Sequence, residues 1–119
     1  MQHFLGDRIL RVNQHQEWLV NFYQKRNWYQ LSPFVRLNFL TEEVGELSRA
    51  IRAIKIGRDH PGEPQPNAEQ LRDNLTEELA DVLDQLLIIS SKFDIAPETL
   101  LNYSEDKLKA RFKDALDEE

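Results

Sequence analysis

The chain has no cysteine, so neither a disulfide framework nor a thiolate metal site is open to it, and any bound metal must take oxygen or nitrogen ligands. Its longest run of large apolar residues is Leu86-Leu87-Ile88-Ile89, far short of the roughly 20 needed to cross a bilayer. The first residues carry no basic-then-apolar leader pattern, and the expectation is a cytoplasmic protein. Cations are outnumbered, with 15 Lys and Arg against 21 Asp and Glu, a net charge of −6 that argues against a long nucleic-acid groove. A single nucleotide bridged to the acids by a cation is compatible with it. Glycine and proline are scarce, four and five residues, and no stretch alternates in the manner of a strand.

What the 119 residues do contain is helical periodicity, and the length suits one domain spanning 1–119. The first helix is predicted from about Phe4 to Lys25, and the second opens with Pro33 in its first turn and ends near Ile56. Gly57 to Asn67 reads as a loop, where Arg58, Asp59 and His60 form a surface turn that would close over a ligand if mobile. Helix three is predicted from about Ala68 to Phe93 and helix four from Pro97 to about Leu116. Leu37, Leu40, Val44, Leu47, Ile51 and Ile54 recur at three- and four-residue steps, as do Leu75, Leu79, Val82, Leu86 and Ile89, so each helix carries an apolar stripe. Leu83, Leu87 and Ile88 widen the second stripe, so helix three is expected to sit centrally with burial on several sides, and a second copy of the chain to cover the excess.

Residues 41–47 read Thr-Glu-Glu-Val-Gly-Glu-Leu and residues 76–82 read Thr-Glu-Glu-Leu-Ala-Asp-Val, an internal repeat with an offset of 35. Glu43 and Glu46 flank the stripe of one helix as Glu78 and Asp81 flank that of the other, so packing the stripes would gather four carboxylates. Of the four, only Glu46 has a nearby base, Arg49. Between Arg72 and Lys92 the third helix carries Asp73, Glu77, Glu78, Asp81 and Asp84 with no intervening cation. Two carboxylates about 5 Å apart repel by roughly 3 kcal/mol at an effective dielectric of 20, and a bound cation relieves this. Hard oxygen ligands favour Mg²⁺, with Mn²⁺ possible. A di-iron site would want Glu-x-x-His pairs, and His3, His15 and His60 all lack them. Gly45, in mid-helix, points to close packing or ligand approach.

Glu-Glu-x-x-Glu at 42–46 followed by Glu-x-x-Asp at 78–81 resembles the MazG-type nucleoside triphosphate pyrophosphohydrolases, with Arg26-Asn27-Trp28 and Pro33 matching the family's lead-in. The resemblance implies an all-α bundle of four to five helices that forms homodimers, sometimes paired further. It implies that Glu43, Glu46, Glu78 and Asp81 ligate Mg²⁺, with Glu42 in an outer or base position and Glu43 beside it in catalysis. Lys107 and Arg111, one turn apart, would contact phosphates, and Trp28 is a candidate for the nucleobase. The implied reaction converts a nucleoside triphosphate and water to monophosphate and pyrophosphate, a housecleaning activity on nucleotide pools. Some relatives place a Tyr where this chain has Gln85 and a Trp shortly after the first acids, where it has Arg49, Ile51 and Arg52, so a pyrimidine-specific pocket is not implied. Two alternatives are a phosphoribosyl-ATP pyrophosphatase-like enzyme and a non-catalytic helical module stabilised by metal.

Overall fold

The computed structural model describes residues 2–57, 62 and 64–113, with side chains from residue 11 onward. It holds helices α1 (Gln2–Lys25), α2 (Pro33–Lys55), α3 (Ala68–Lys92) and α4 (Pro97–Arg111), and no strand among the described residues. The expected Arg58, Asp59 and His60 turn and the last residues of the fourth helix lie outside the described residues.

Local chemistry sets the ends of these helices. The Ser32 hydroxyl accepts from the Val35 amide at 3.3 Å, and Pro33 follows in the first turn, so α2 is capped by sequence alone. Asn67 and Gln70 form a reciprocal box at the start of α3: the Gln70 amide donates to Asn67 Oδ1 at 2.8 Å, and the Asn67 amide donates to Gln70 Oε1 at 3.0 Å. The exits use left-handed residues, Asn27 at φ 59° after α1, Gly57 at φ 100° after α2 and Asp94 at φ 57° after α3. At Asn27 the closing pair is Trp28 N to Tyr23 O at 2.9 Å and Asn27 N to Gln24 O at 3.2 Å, and Asp94 and Ile95 repeat it on Ser91 and Ser90.

The chain divides into two compact units, residues 1–29 with 90–119, and residues 30–89. In the first, α1 packs against α4 with Leu19, Tyr23 and Pro97 buried. Ala96, at the N-cap of α4, has no side-chain oxygen to offer. Asn13 of α1 supplies one: its Oδ1 accepts from the Glu98 amide at 3.2 Å while its Nδ2 donates to Glu98 Oε2 at 3.4 Å. Gln16 donates to the Ile95 carbonyl at 3.3 Å, and the Tyr29 and Ser91 hydroxyls meet at 2.9 Å.

In the second unit the inward face of each helix differs in phase from the expected stripe. Arg36, Leu40, Glu43, Leu47 and Ala50 form one sheltered line of α2, and Leu71, Leu75, Glu78, Val82 and Gln85 one of α3. Leu37, Val44, Ile51 and Ile54, expected in the core, are exposed, as are Leu79, Leu83 and Leu86. Leu87 and Ile88, expected on a face that a partner covers, are buried within the chain at 3% and 0% exposure. Gly45 does not serve close packing here, since a Cβ built on it meets no atom within 4 Å.

Two substitutions test this account by thermal melting. Gly45→Ala should stabilise the chain by about 0.5–1 kcal/mol, because it removes glycine's entropic cost and meets open space. Asn67→Ala should destabilise it by about 1 kcal/mol through loss of the cap. A destabilising Gly45→Ala would mean that another surface approaches α2 at that point.

Candidate metal centre

The repeat in the sequence becomes a repeat in structure. Thr41 Oγ1 donates back to the Leu37 carbonyl at 3.1 Å and Thr76 Oγ1 to the Arg72 carbonyl at 2.8 Å, so the first residue of each copy bonds its own helix four residues back. Two residues later, Glu43 and Glu78 each occupy the middle of a sheltered line with 4-3-4-3 spacing. Asp81 stands one helical turn beyond Glu78. One carboxylate oxygen from each of Glu43, Glu78 and Asp81 lies within 4.8 Å of the others.

All three carboxyls are half-buried, and each is held above its ordinary pKa. Burial is the largest cause for Glu43, followed by the charges of Asp81, Glu78, Glu46 and Glu42. For Glu78 burial again leads, then Asp81, Glu46 and Glu77. For Asp81 burial is followed by Glu77 and Asp84. Every one of these influences raises the pKa. Glu78 Oε2 is buried and accepts no hydrogen bond. A buried carboxylate oxygen in that state is costly, and the cost disappears when it ligates a cation. Three hard oxygen donors converging without imidazole or thiolate suit a divalent ion of the Mg²⁺ or Mn²⁺ class.

The four expected ligands do not converge equally. Glu46 is exposed and stands outside the group of three, acting on Glu43 and Glu78 through its charge. Glu42 is exposed beside Glu43. Lys107 and Arg111 are exposed on α4, and Trp28 is 43% exposed at the end of α1, in edge contact with Phe22 and Tyr23, so these three belong to the first unit. The sequence reading did not single out Arg36, which is 5% exposed with its guanidinium 4.8 Å from the Phe39 ring centre. The signal was present in the spacing, since Arg36 lies seven residues, two helical turns, before Glu43.

Comparison with known proteins shows the family. Residues 33–116 match the model of the MazG nucleotide pyrophosphohydrolase domain. The chain belongs to the MazG family. It is also 38% identical over 100 residues to the uncharacterized protein YvdC of Bacillus subtilis (strain 168), an alignment covering 84% of this chain and 94% of that protein. No solved structure matches it. The MazG match contains all of the acids named above, and the converging trio is the feature of this chain that fits a metal-dependent family.

The raised pKa values fix a sign for pH dependence. The folded chain holds protons on Glu43, Glu78 and Asp81 more tightly than the unfolded chain, whose ordinary values are 4.5 for Glu and 3.8 for Asp. Without metal, the stability linked to these groups is highest below those ordinary values, falls as pH rises through the raised ones, and stays low at neutral pH. Glu43→Gln, Glu78→Gln and Asp81→Asn should each flatten that fall and leave the neutral-pH Tm of the metal-free protein equal or higher. Added Mg²⁺ should raise the Tm of the native chain more than that of any variant. Melts across pH, with and without Mg²⁺, check both statements, and variants that melt lower than the native chain in neutral metal-free buffer would contradict them.

Proposed function

We propose that the protein is a Mg²⁺-dependent nucleoside triphosphate pyrophosphohydrolase that releases the monophosphate and pyrophosphate. The observation that carries this reading is the convergence of Glu43, Glu78 and Asp81 within 4.8 Å, from two helices, in a chain that matches the MazG domain. Those three residues would hold the ion, with Glu46 completing its negative surroundings. When bound, the ion supplies charge neutralisation at phosphate oxygens and a more acidic water. Glu42, exposed next to Glu43, is the candidate to take the proton from the attacking water. The water oxygen bonds to the α-phosphorus, the α–β bridging bond breaks, and pyrophosphate leaves with the electron pair. Lys107 and Arg111 on α4 are proposed to hold phosphate, and Trp28 to touch the base.

The reading includes a homodimer in the cytoplasm that acts on standard or damaged nucleotides. Its support is the exposed apolar residues of the second unit, Leu37, Val44 and Ile51 on α2 and Leu79, Leu83 and Leu86 on α3, since exposed apolar surface of this kind marks sites of association. No helix among the described residues is long and apolar enough to cross a membrane.

A panel of ribo- and deoxynucleoside triphosphates with Mg²⁺, read as pyrophosphate release, tests the activity. Turnover of one or more triphosphates is expected, lost on adding chelator and nearly lost in Glu43→Gln, Glu78→Gln and Asp81→Asn. Hydrolysis of phosphoribosyl-ATP alone, or of nothing, would reject the reading. A charge-assisted contact to phosphate contributes about 1.5–3 kcal/mol, so Lys107→Met or Arg111→Met should lower kcat/KM by roughly ten- to a hundredfold and leave metal affinity unchanged. Full activity in both variants would remove α4 from the site. Sedimentation should give a dimer that Leu83→Lys weakens, whereas a stable native monomer would refute the dimer. Leu87→Lys is not a test of association, because Leu87 is core.

A further inference from the structure

The charge of the chain is not spread evenly. From Arg8 to Tyr29 the only acid is Glu17, against Arg8, Arg11, Lys25 and Arg26, in a protein whose net charge is −6. Local charge asymmetry of this kind marks a surface for an anionic partner. At 100° per residue, Arg11, His15, Trp18, Phe22, Lys25 and Arg26 fall within roughly one 100° sector of α1 and its exit turn, and Glu17 falls outside it.

The side chains in this sector are already ordered against one another. The His15 and Trp18 rings stack at 6.0 Å with 11° between their planes, and Trp18 and Phe22 stack at 5.4 Å and 17°. The Arg26 guanidinium continues the row 4.4 Å from the Phe22 centroid and 5.5 Å from that of Trp28. The row is open to solvent, with Trp18 57% exposed and Arg11, Lys25 and Arg26 all exposed. A surface built this way loses little rotamer entropy when it is covered.

Its composition narrows the partner. A two-fold pairing with a second copy would set cations against cations, which is unfavourable. A helix that inserts into an anionic bilayer buries a broad apolar face of aliphatic residues along with its Trp and Phe, and between Arg11 and Arg26 this sector has no aliphatic residue. An acidic peptide would use the cations and have no need of the stacked rings. A single-stranded nucleic acid uses both, phosphates on the cations and bases on the aromatic and guanidinium faces. From Arg11 to Arg26 the row is about 22 Å long at 1.5 Å per residue, room for a few nucleotides and not for the long groove that the net charge disfavours.

We propose that the Arg11–Arg26 face of α1 is a binding surface for a short single-stranded nucleic acid. It does not depend on the hydrolase reading. The test is fluorescence anisotropy of a labelled oligothymidylate of about ten nucleotides, a length chosen to exceed the row, titrated with the full-length protein at low salt. Binding is expected to weaken linearly in log salt and to be competed by unlabelled single strand in preference to duplex of the same length. Base stacking contributes about 1–3 kcal/mol per base, so Trp18→Ala should weaken binding about five- to a hundredfold, and Trp18→Phe should restore most of it. Arg26→Ala should lower the salt slope by about one, whereas Lys55→Ala, exposed on α2, should change little. The proposal is overturned if the oligonucleotide does not bind at low salt, if Trp18→Ala is silent while Arg26→Ala is not (the signature of an acidic peptide surface), or if the chain binds anionic vesicles and no oligonucleotide.

Discussion

The burial of Glu43, Glu78 and Asp81 among other carboxylates is the constraint around which the second unit is arranged. Folding removes part of their water and surrounds them with like charges, and both effects favour the protonated form. A protein under selection for stability alone would place leucines at the centre of such lines. Here the central step on each helix is a glutamate, with Leu40 and Leu47 on either side in α2 and Leu75 and Val82 in α3. The apolar neighbours exclude water and so strengthen every electrostatic interaction at the site, including the attraction to a cation. The same residues that make the metal-free chain less stable therefore make the cluster a stronger ligand.

Much of this was legible in the sequence. The ends of α2 and α3 were visible in Ser32-Pro33 and in the Gly57 to Asn67 loop, because caps and breakers act locally and need no knowledge of the rest of the fold. The offset repeat gave the acids, since a helix fixes which side chains share a face. The phase of burial was not legible in the same way. Val44 and Glu43 differ by 100° around α2, and hydrophobicity favoured Val44, yet Glu43 is the sheltered one. Hydropathy assigns burial by transfer free energy, and a metal-type site is a place where function sets that preference aside. The central place expected for helix three is met by the burial of Leu87 and Ile88, but their assignment to an intersubunit face is not, because an apolar residue has no mark that tells a core contact from an intersubunit one.

Arg36 and Gln85 show a further limit. Both are polar and sheltered, at 5% and 9% exposure, on the same lines as Glu43 and Glu78. Read singly, an arginine or glutamine on a helix is assumed to face water. Only the registration of the two lines shows that polar residues continue inward from the acids in the direction of the α2 N-terminus and the α3 C-terminus.

The Asn13 bond to Glu98 bears on the order in which the chain folds. It joins residues 85 apart, and it supplies the cap that Ala96 cannot. The second unit is one contiguous stretch of sequence, while the first unites both ends of the chain. Closing that span costs loop entropy, which contacts within residues 30–89 need not meet to the same degree. In kinetic terms the contiguous unit is placed to form early and the first turn of α4 late. Asn13→Ala would then speed unfolding and leave the folding rate nearly unchanged, whereas an equal effect on both rates would put the α1 to α4 link in the folding nucleus.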